Sequence, residues 1–128
     1  MREFHRPDLW LGLWALMIAV VVVGSLLPAR ELPTAPFDGF DKLEHFFGYA
    51  VLSGYAAMLF ARLRVQALAA AGLVALGIGL EVAQAVLTVS RQADLADAMV
   101  NTVGVLAGLA LAATPMARWL QCLDARLR

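Results

Sequence analysis

Glu81 is the residue in this chain whose position most demands a chemical reason. It interrupts an otherwise apolar run, GLVALGIGLEVAQAVLTV. At 1.5 Å per helical residue it lies about 6 Å from the middle of that segment. An ionisable group at that depth costs several kcal/mol unless it faces a protein interior or a water-filled cavity, which makes it a functional candidate by default. Gly77, Glu81, Gln84 and Thr88 fall within an arc of about 60° at helical spacing, so they form one polar stripe. A second stripe opens the next apolar run, where Asp94, Asp97, Asn101, Gly104 and Gly108 share about 80° of arc. A third set is Lys42, His45 and Tyr49, which can share one helical face with Leu52. Arg91 stands between the runs that carry Glu81 and Asp97.

These residue types support definite chemistry. Glu81 or Asp97 can act as general acid or base, and His45 can carry a proton. Lys42, His45 and Arg91 can hold an anionic group, Arg91 as a bidentate clamp. Tyr49, Gln84, Asp94 and Asn101 complete a candidate ligand-binding lining. His45 with Glu81, Asp94 and Asp97 offers nitrogen and oxygen ligands that suit zinc or manganese, although no H-x-x-x-H motif supports a metal and no resident cofactor is expected. Each residue also has a plainer use. Asp94 suits a helix N-cap and Asp97 a first turn; Gln84 can hydrogen-bond a neighbouring helix; Arg91 can pair with Asp94 at little energetic gain. Gly104-x-x-x-Gly108 is a helix-packing signal, expected to close the bundle.

Four apolar stretches must position these residues, at about 9–27, 43–61, 65–89 and 95–113. Each approaches the roughly 20 residues needed to cross a bilayer. The first is too long for a signal-peptide core of about 7–15 residues and lacks a small-x-small cleavage site. The link PARELPTAPFDGFDK reads as an irregular loop, and Arg62-Leu63-Arg64 and 90–94 as short turns. After Pro115 the segment MARWLQCLDARLR is amphipathic. Trp119, Leu120, Leu123 and Leu127 can share an apolar side, with Arg118, Asp124, Arg126 and Arg128 polar, a pattern suited to a helix on the membrane surface. The expected fold is therefore an all-α integral membrane protein, a four-transmembrane-helix bundle with a short amphipathic C-terminal tail, in one domain.

Composition agrees. The 128 residues are 62% hydrophobic and 16% charged, where soluble domains average about 25% charged. A basic nucleic-acid surface and a disulfide framework are both excluded, the latter because Cys122 is the single cysteine. The ten basic and ten acidic residues sum to +0, but four spans would sort them. Arg2, Arg6, Arg62, Arg64, Arg118, Arg126 and Arg128 fall on one side; Arg30, Lys42 and Arg91 fall on the other, with most of the acids. The positive-inside bias places both termini in the cytoplasm and the polar stripes toward the outside.

The pattern Asp41-Lys42-x-x-His45-x-x-x-Tyr49, then Glu81-x-x-Gln84, then Arg91-x-x-Asp94-x-x-Asp97-x-x-x-Asn101-x-x-Gly104-x-x-x-Gly108 resembles the VanZ-like family of small bacterial membrane proteins. The likeness covers spans two to four. It departs from the family where a proline often precedes the arginine; Val89-Ser90 stand there instead. The family is named for a protein that confers low-level teicoplanin resistance. The resemblance implies a role in the cell envelope, at the bacterial cytoplasmic membrane; antibiotic resistance is the phenotype that names the family and is not implied for this chain. The expected activity is binding or modification of a lipid-linked, polar-headed molecule, or a glycopeptide-related ligand, from the outer side, with membrane lipids as partners. Two alternatives stand beside it: a non-enzymatic accessory membrane protein, and a small proton- or cation-coupled transporter.

Overall fold

The computed structural model describes residues 1–27, 36–37, 39–87 and 94–127. Most of the expected irregular link and of the 90–94 turn lies outside these residues. Among these residues five α-helices follow in order: α1 Pro7–Leu26, α2 Phe40–Leu59, α3 Leu63–Leu87, α4 Leu95–Leu109 and α5 Trp119–Arg126. Two short 3-10 turns, Ala110–Ala113 and Pro115–Arg118, join α4 to α5. No strand occurs among the described residues.

Local chemistry sets the ends. Pro7 opens α1, where its missing N–H costs nothing, with Asp8 in the first turn. Leu27 turns extended ahead of Pro28, the conformation that a following proline favours. Gly39 begins α2 at φ +85°, a conformation that glycine adopts without strain. The α2–α3 turn is tight because Gln66 satisfies it: its Nε2 donates to the carbonyls of Ala57 at 3.1 Å and Phe60 at 2.7 Å. Asp94 caps α4 by accepting the Ala96 N–H at 2.8 Å, the capping role expected from its place in the sequence.

The contacts define direction. Lys42 meets Asp97 and His45 meets Asn101, so α2 and α4 run parallel. Trp14 of α1 donates to the Leu52 carbonyl at 3.0 Å, and Gln84 of α3 donates to the Ser25 carbonyl at 2.7 Å. The long helices therefore alternate in direction. α2 and α3 lie in the middle; among the described residues α1 touches both and does not touch α4. Tyr49, Leu52, Ala70, Leu73 and Val105 form one buried cluster, and Trp10, Leu59 and Leu120 form another.

The closest pairing is α2 against α4, and glycine makes it. A Cβ on Gly104 would collide with the Phe46 carbonyl oxygen, and one on Gly108 with the Ala50 carbonyl oxygen and, at 2.7 Å, the Gly54 nitrogen. The G-x-x-x-G face thus lies on α2 of the same chain, as expected.

Among the described residues three segments are long and apolar enough to cross a membrane: Pro7–Leu26, Leu63–Leu87 and Leu95–Ala113. Their outer faces are bare hydrocarbon, with Val20 63% and Val86 76% exposed. This fits a multi-pass membrane protein. α2 differs, because Asp41, Lys42, Glu44 and His45 occupy its first turns. The fourth apolar segment also departs from a continuous α-helix, tightening into 3-10 geometry at Ala110. The C-terminal helix forms, but not with the expected sides. Asp124 is only 2% exposed while Trp119 is 56% exposed. The reason is that Asp124 finds N–H donors inside the fold that replace water.

Replacing Gly108 with Val is expected to cost at least about 3 kcal/mol, since backbone atoms cannot yield as side chains do. Gly79→Ala, with open space around the new methyl, should be neutral or better. Denaturant unfolding in detergent micelles measures both.

Candidate functional site

The polar end of the bundle is built in layers by the parallel register of α2 and α4, with α3 running against them. His45, Glu81 and Asp97 form the upper layer, and each offers a ligand atom within 4.8 Å of the other two. One helical turn deeper on each helix lie Tyr49, Gly77 and Asn101. The missing side chain of Gly77 makes room for the other two: a Cβ there would stand 3.2 Å from Asn101 Nδ2 and 3.3 Å from the Tyr49 hydroxyl. Tyr49 is 1% exposed, and its hydroxyl has no hydrogen-bond partner among the described residues.

Above the upper layer, Lys42 Nζ donates to Asp97 Oδ1 at 2.8 Å and Asp94 Oδ2 at 3.1 Å. The Ala96 N–H, then the Lys42 ammonium, hold the Asp94 carboxyl below its usual range. Glu81 is buried and accepts the backbone N–H of Asp94 at 3.3 Å on Oε2. That contact ties α3 to the start of α4. His45 Nδ1 lies 3.0 Å from Asn101 Oδ1. The amide oxygen accepts from Nδ1–H, and in the neutral ring this leaves the Nε2 lone pair for another group.

Lys42, His45, Tyr49, Glu81, Asp94, Asp97 and Asn101 therefore come together, from three helices and across 55 positions of sequence between Lys42 and Asp97. Gln84 is buried on the same face as Glu81, but its amide reaches the α1 carbonyl of Ser25; it serves helix packing there. Gly104 and Gly108 serve the α2–α4 contact. Arg91 and Thr88 lie outside the described residues. The expected use of Lys42 as an anion holder meets a physical obstacle: its ammonium is engaged with two carboxylates.

A second polar centre, at the opposite end of the bundle, is one that sequence reasoning misses. Asp124 Oδ2 accepts the His5 backbone N–H at 2.5 Å and contacts His5 Nδ1 at 2.9 Å, while Oδ1 accepts Trp10 Nε1 at 2.8 Å and the Arg6 N–H at 3.3 Å. Nearby, the Arg2 N–H donates to the Leu59 carbonyl at 2.8 Å, and the Tyr55 hydroxyl to the Trp10 carbonyl at 3.2 Å. The available signal is an acid one helical turn after Leu120; its partners, more than a hundred residues away, leave no local trace.

Taken together, the described residues form an all-helical bundle, three of whose helices are long and apolar enough to cross a membrane, with an imidazole–carboxylate centre at one end and a carboxylate clasp at the other. Comparison with protein-family models, curated proteins and solved structures finds no match for the chain.

The clasp predicts a pH dependence. Burial pushes the Asp124 carboxyl up, but the four N–H donors outweigh it and bring the group from 3.8 down to about 2. A depressed folded pKa means the ionised form stabilises the fold. That contribution is complete above the unfolded value and is lost as pH falls through about 2. Thermal unfolding in micelles between about pH 6 and pH 2 should show wild type losing stability over this window. Asp124→Asn should start less stable and lose less across it.

Proposed function

We propose that this chain is a cell-envelope membrane protein that binds or modifies a lipid-linked, polar-headed molecule at its imidazole–carboxylate end. The observation that carries the reading is Glu81, a carboxylate 4% exposed, set among His45, Asp97 and the Tyr49 hydroxyl at one end of an apolar bundle. Carboxylates are costly at that position and are retained where they do work. The outward faces of the same helix ends carry exposed Val82, Val86, Leu95 and Met99. A molecule with a lipid tail and a polar head fits both surfaces at once: tail along the apolar face, head at the cluster.

Charge narrows the head group. Among the described residues the cluster has one cation, Lys42, against Glu81, Asp94 and Asp97. Such a site accepts hydrogen bonds from hydroxyl, amine or amide groups, as a sugar or peptide head presents, more readily than it grips a bare anion. Glu81 is the general acid or base in this reading, with Asp97 and His45 placed to assist, and Asn101 orients the imidazole. The VanZ-like motif supports an envelope role and antibiotic susceptibility as the phenotype to examine. The positive-inside bias supports cytoplasmic termini, with the cluster toward the outer face of the cytoplasmic membrane.

One contact favours an accessory role without chemistry. Glu81 Oε2 receives the Asp94 N–H, a structural duty that glutamine can also perform. The two readings separate in one experiment. A deletion strain is complemented with wild type, Glu81→Gln or Asp97→Asn, then scored for envelope-lipid composition and glycopeptide susceptibility. Under the catalytic reading both variants lose complementation, at least about a hundredfold in any turnover measured, while abundance and helix content stay at wild-type level. Full complementation by Glu81→Gln would leave the accessory role in place.

A further inference from the structure

The donor trio at the polar end has the makings of an ion site. His45, Glu81 and Asp97 come from three different helices, and their ligand atoms lie within 4.8 Å of one another. An ion with bonds of about 2.0–2.2 Å in tetrahedral geometry needs its ligands roughly 3.4 Å apart. The side chains must close by up to about 1.4 Å to reach that spacing, a distance on the scale of a side-chain rotation. We propose that His45, Glu81 and Asp97 bind one divalent transition cation, zinc or manganese.

Four observations support the assignment. One imidazole nitrogen with two carboxylate oxygens is a ligand set suited to these ions. Asn101 Oδ1, 3.0 Å from His45 Nδ1, is the outer partner that metal-bound histidines characteristically have, and it leaves Nε2 as the donor. The Tyr49 hydroxyl, buried and unpartnered among the described residues, lies beside Gly77 in the layer directly beneath and is a donor that a group held at the trio could satisfy. Finally, the charges close. Lys42 and a divalent ion together balance Glu81, Asp94 and Asp97, whereas Lys42, the one cation of the cluster among the described residues, leaves it with net negative charge.

Lys42 gains a role from this. Its ammonium bonds Asp97 Oδ1 at 2.8 Å and is the competitor that an incoming ion must displace or accommodate. Three protein ligands leave a coordination position open, and the oxygen of a head group, phosphate or hydroxyl, is the chemical class that would fill it. The ion site stands independently of the proposed substrate. An envelope phenotype without ion binding would overturn the site and spare the function; ion binding without a phenotype would do the reverse.

The test uses the full chain purified in detergent, stripped with chelator and titrated calorimetrically with Zn²⁺ and separately with Mn²⁺. Elemental analysis after desalting gives the stoichiometry. One ion per chain is expected. His45→Ala and Asp97→Asn should each weaken binding at least about a hundredfold. Asn101→Ala, which touches no ion, should weaken it about tenfold. Lys42→Gln should tighten it about tenfold by removing the competing charge. Circular dichroism of each ion-free variant checks folding; where His45→Ala or Asp97→Asn fails to fold, the opposite signs of Asn101→Ala and Lys42→Gln decide the matter. No uptake of either ion by wild type, or equal uptake by wild type and the folded variants, overturns the proposal.

Discussion

The backbone contact between α2 and α4 is the constraint on which the rest of the molecule depends. Gly104 against Phe46 and Gly108 against Ala50 and Gly54 leave no room for a side chain on the α4 glycines. Two helices in such close contact cannot slide, because a shift of one residue would bring Val103 or Val105 against a carbonyl. The register is therefore single-valued, and everything at the polar end inherits it. Lys42 falls opposite Asp94 and Asp97, and His45 opposite Asn101. α3 then enters antiparallel, and Gly77 permits Tyr49 and Asn101 to meet beneath Glu81. A packing motif with no chemistry of its own thus sets the distances between groups that have a great deal.

The two ends of the bundle solve the burial of carboxylates differently. Asp124 receives N–H groups from His5, Arg6 and Trp10 on its two oxygens and is held ionised. Hydrogen bonds to the charged form are sufficient to favour it. At the other end, Asp94 and Asp97 share Lys42, while Glu81 accepts the Asp94 backbone N–H at 3.3 Å. The first arrangement is a finished structural joint. The second retains acceptor capacity in a confined space, which is the condition under which carboxylates bind ions, bind polar ligands or move protons.

Much of this is legible in the sequence, for physical reasons that differ by residue. The apolar stretches follow from length and hydropathy, and the helices that carry them begin and end within a few residues of the expected bounds. The stripes containing Glu81 and Asp97 follow from helical periodicity. The Asp94 cap and the Gly104–Gly108 contact follow from local rules. Periodicity places a residue on a face but says nothing of which neighbour that face meets. So Gln84 shares the Glu81 stripe, yet its amide reaches Ser25 of α1. Lys42 looks free to hold an anion because its partners lie on another helix. Asp124 looks solvated because its four donors sit at the other end of the chain. In each case the missing information is the identity of a distant partner, which no short-range pattern encodes.

The clasp at Asp124 also bears on the order of events during synthesis. His5 and Trp10 precede α2 to α5 in the chain, and Asp124 belongs to α5, the last of the helices. α1 touches α2 and α3 but not α4 among the described residues. It packs on α2 and α3 through Trp14 and Ser25, and Arg2 and Trp10 meet Leu59 and Tyr55 of α2, but the carboxylate that gathers the His5, Arg6 and Trp10 N–H groups arrives only with α5. Of the five described helices, the first to be made completes its contacts last. Until α5 has emerged, the N–H groups that Asp124 gathers at the start of α1 are without that acceptor, though α2 already lies against the same turn.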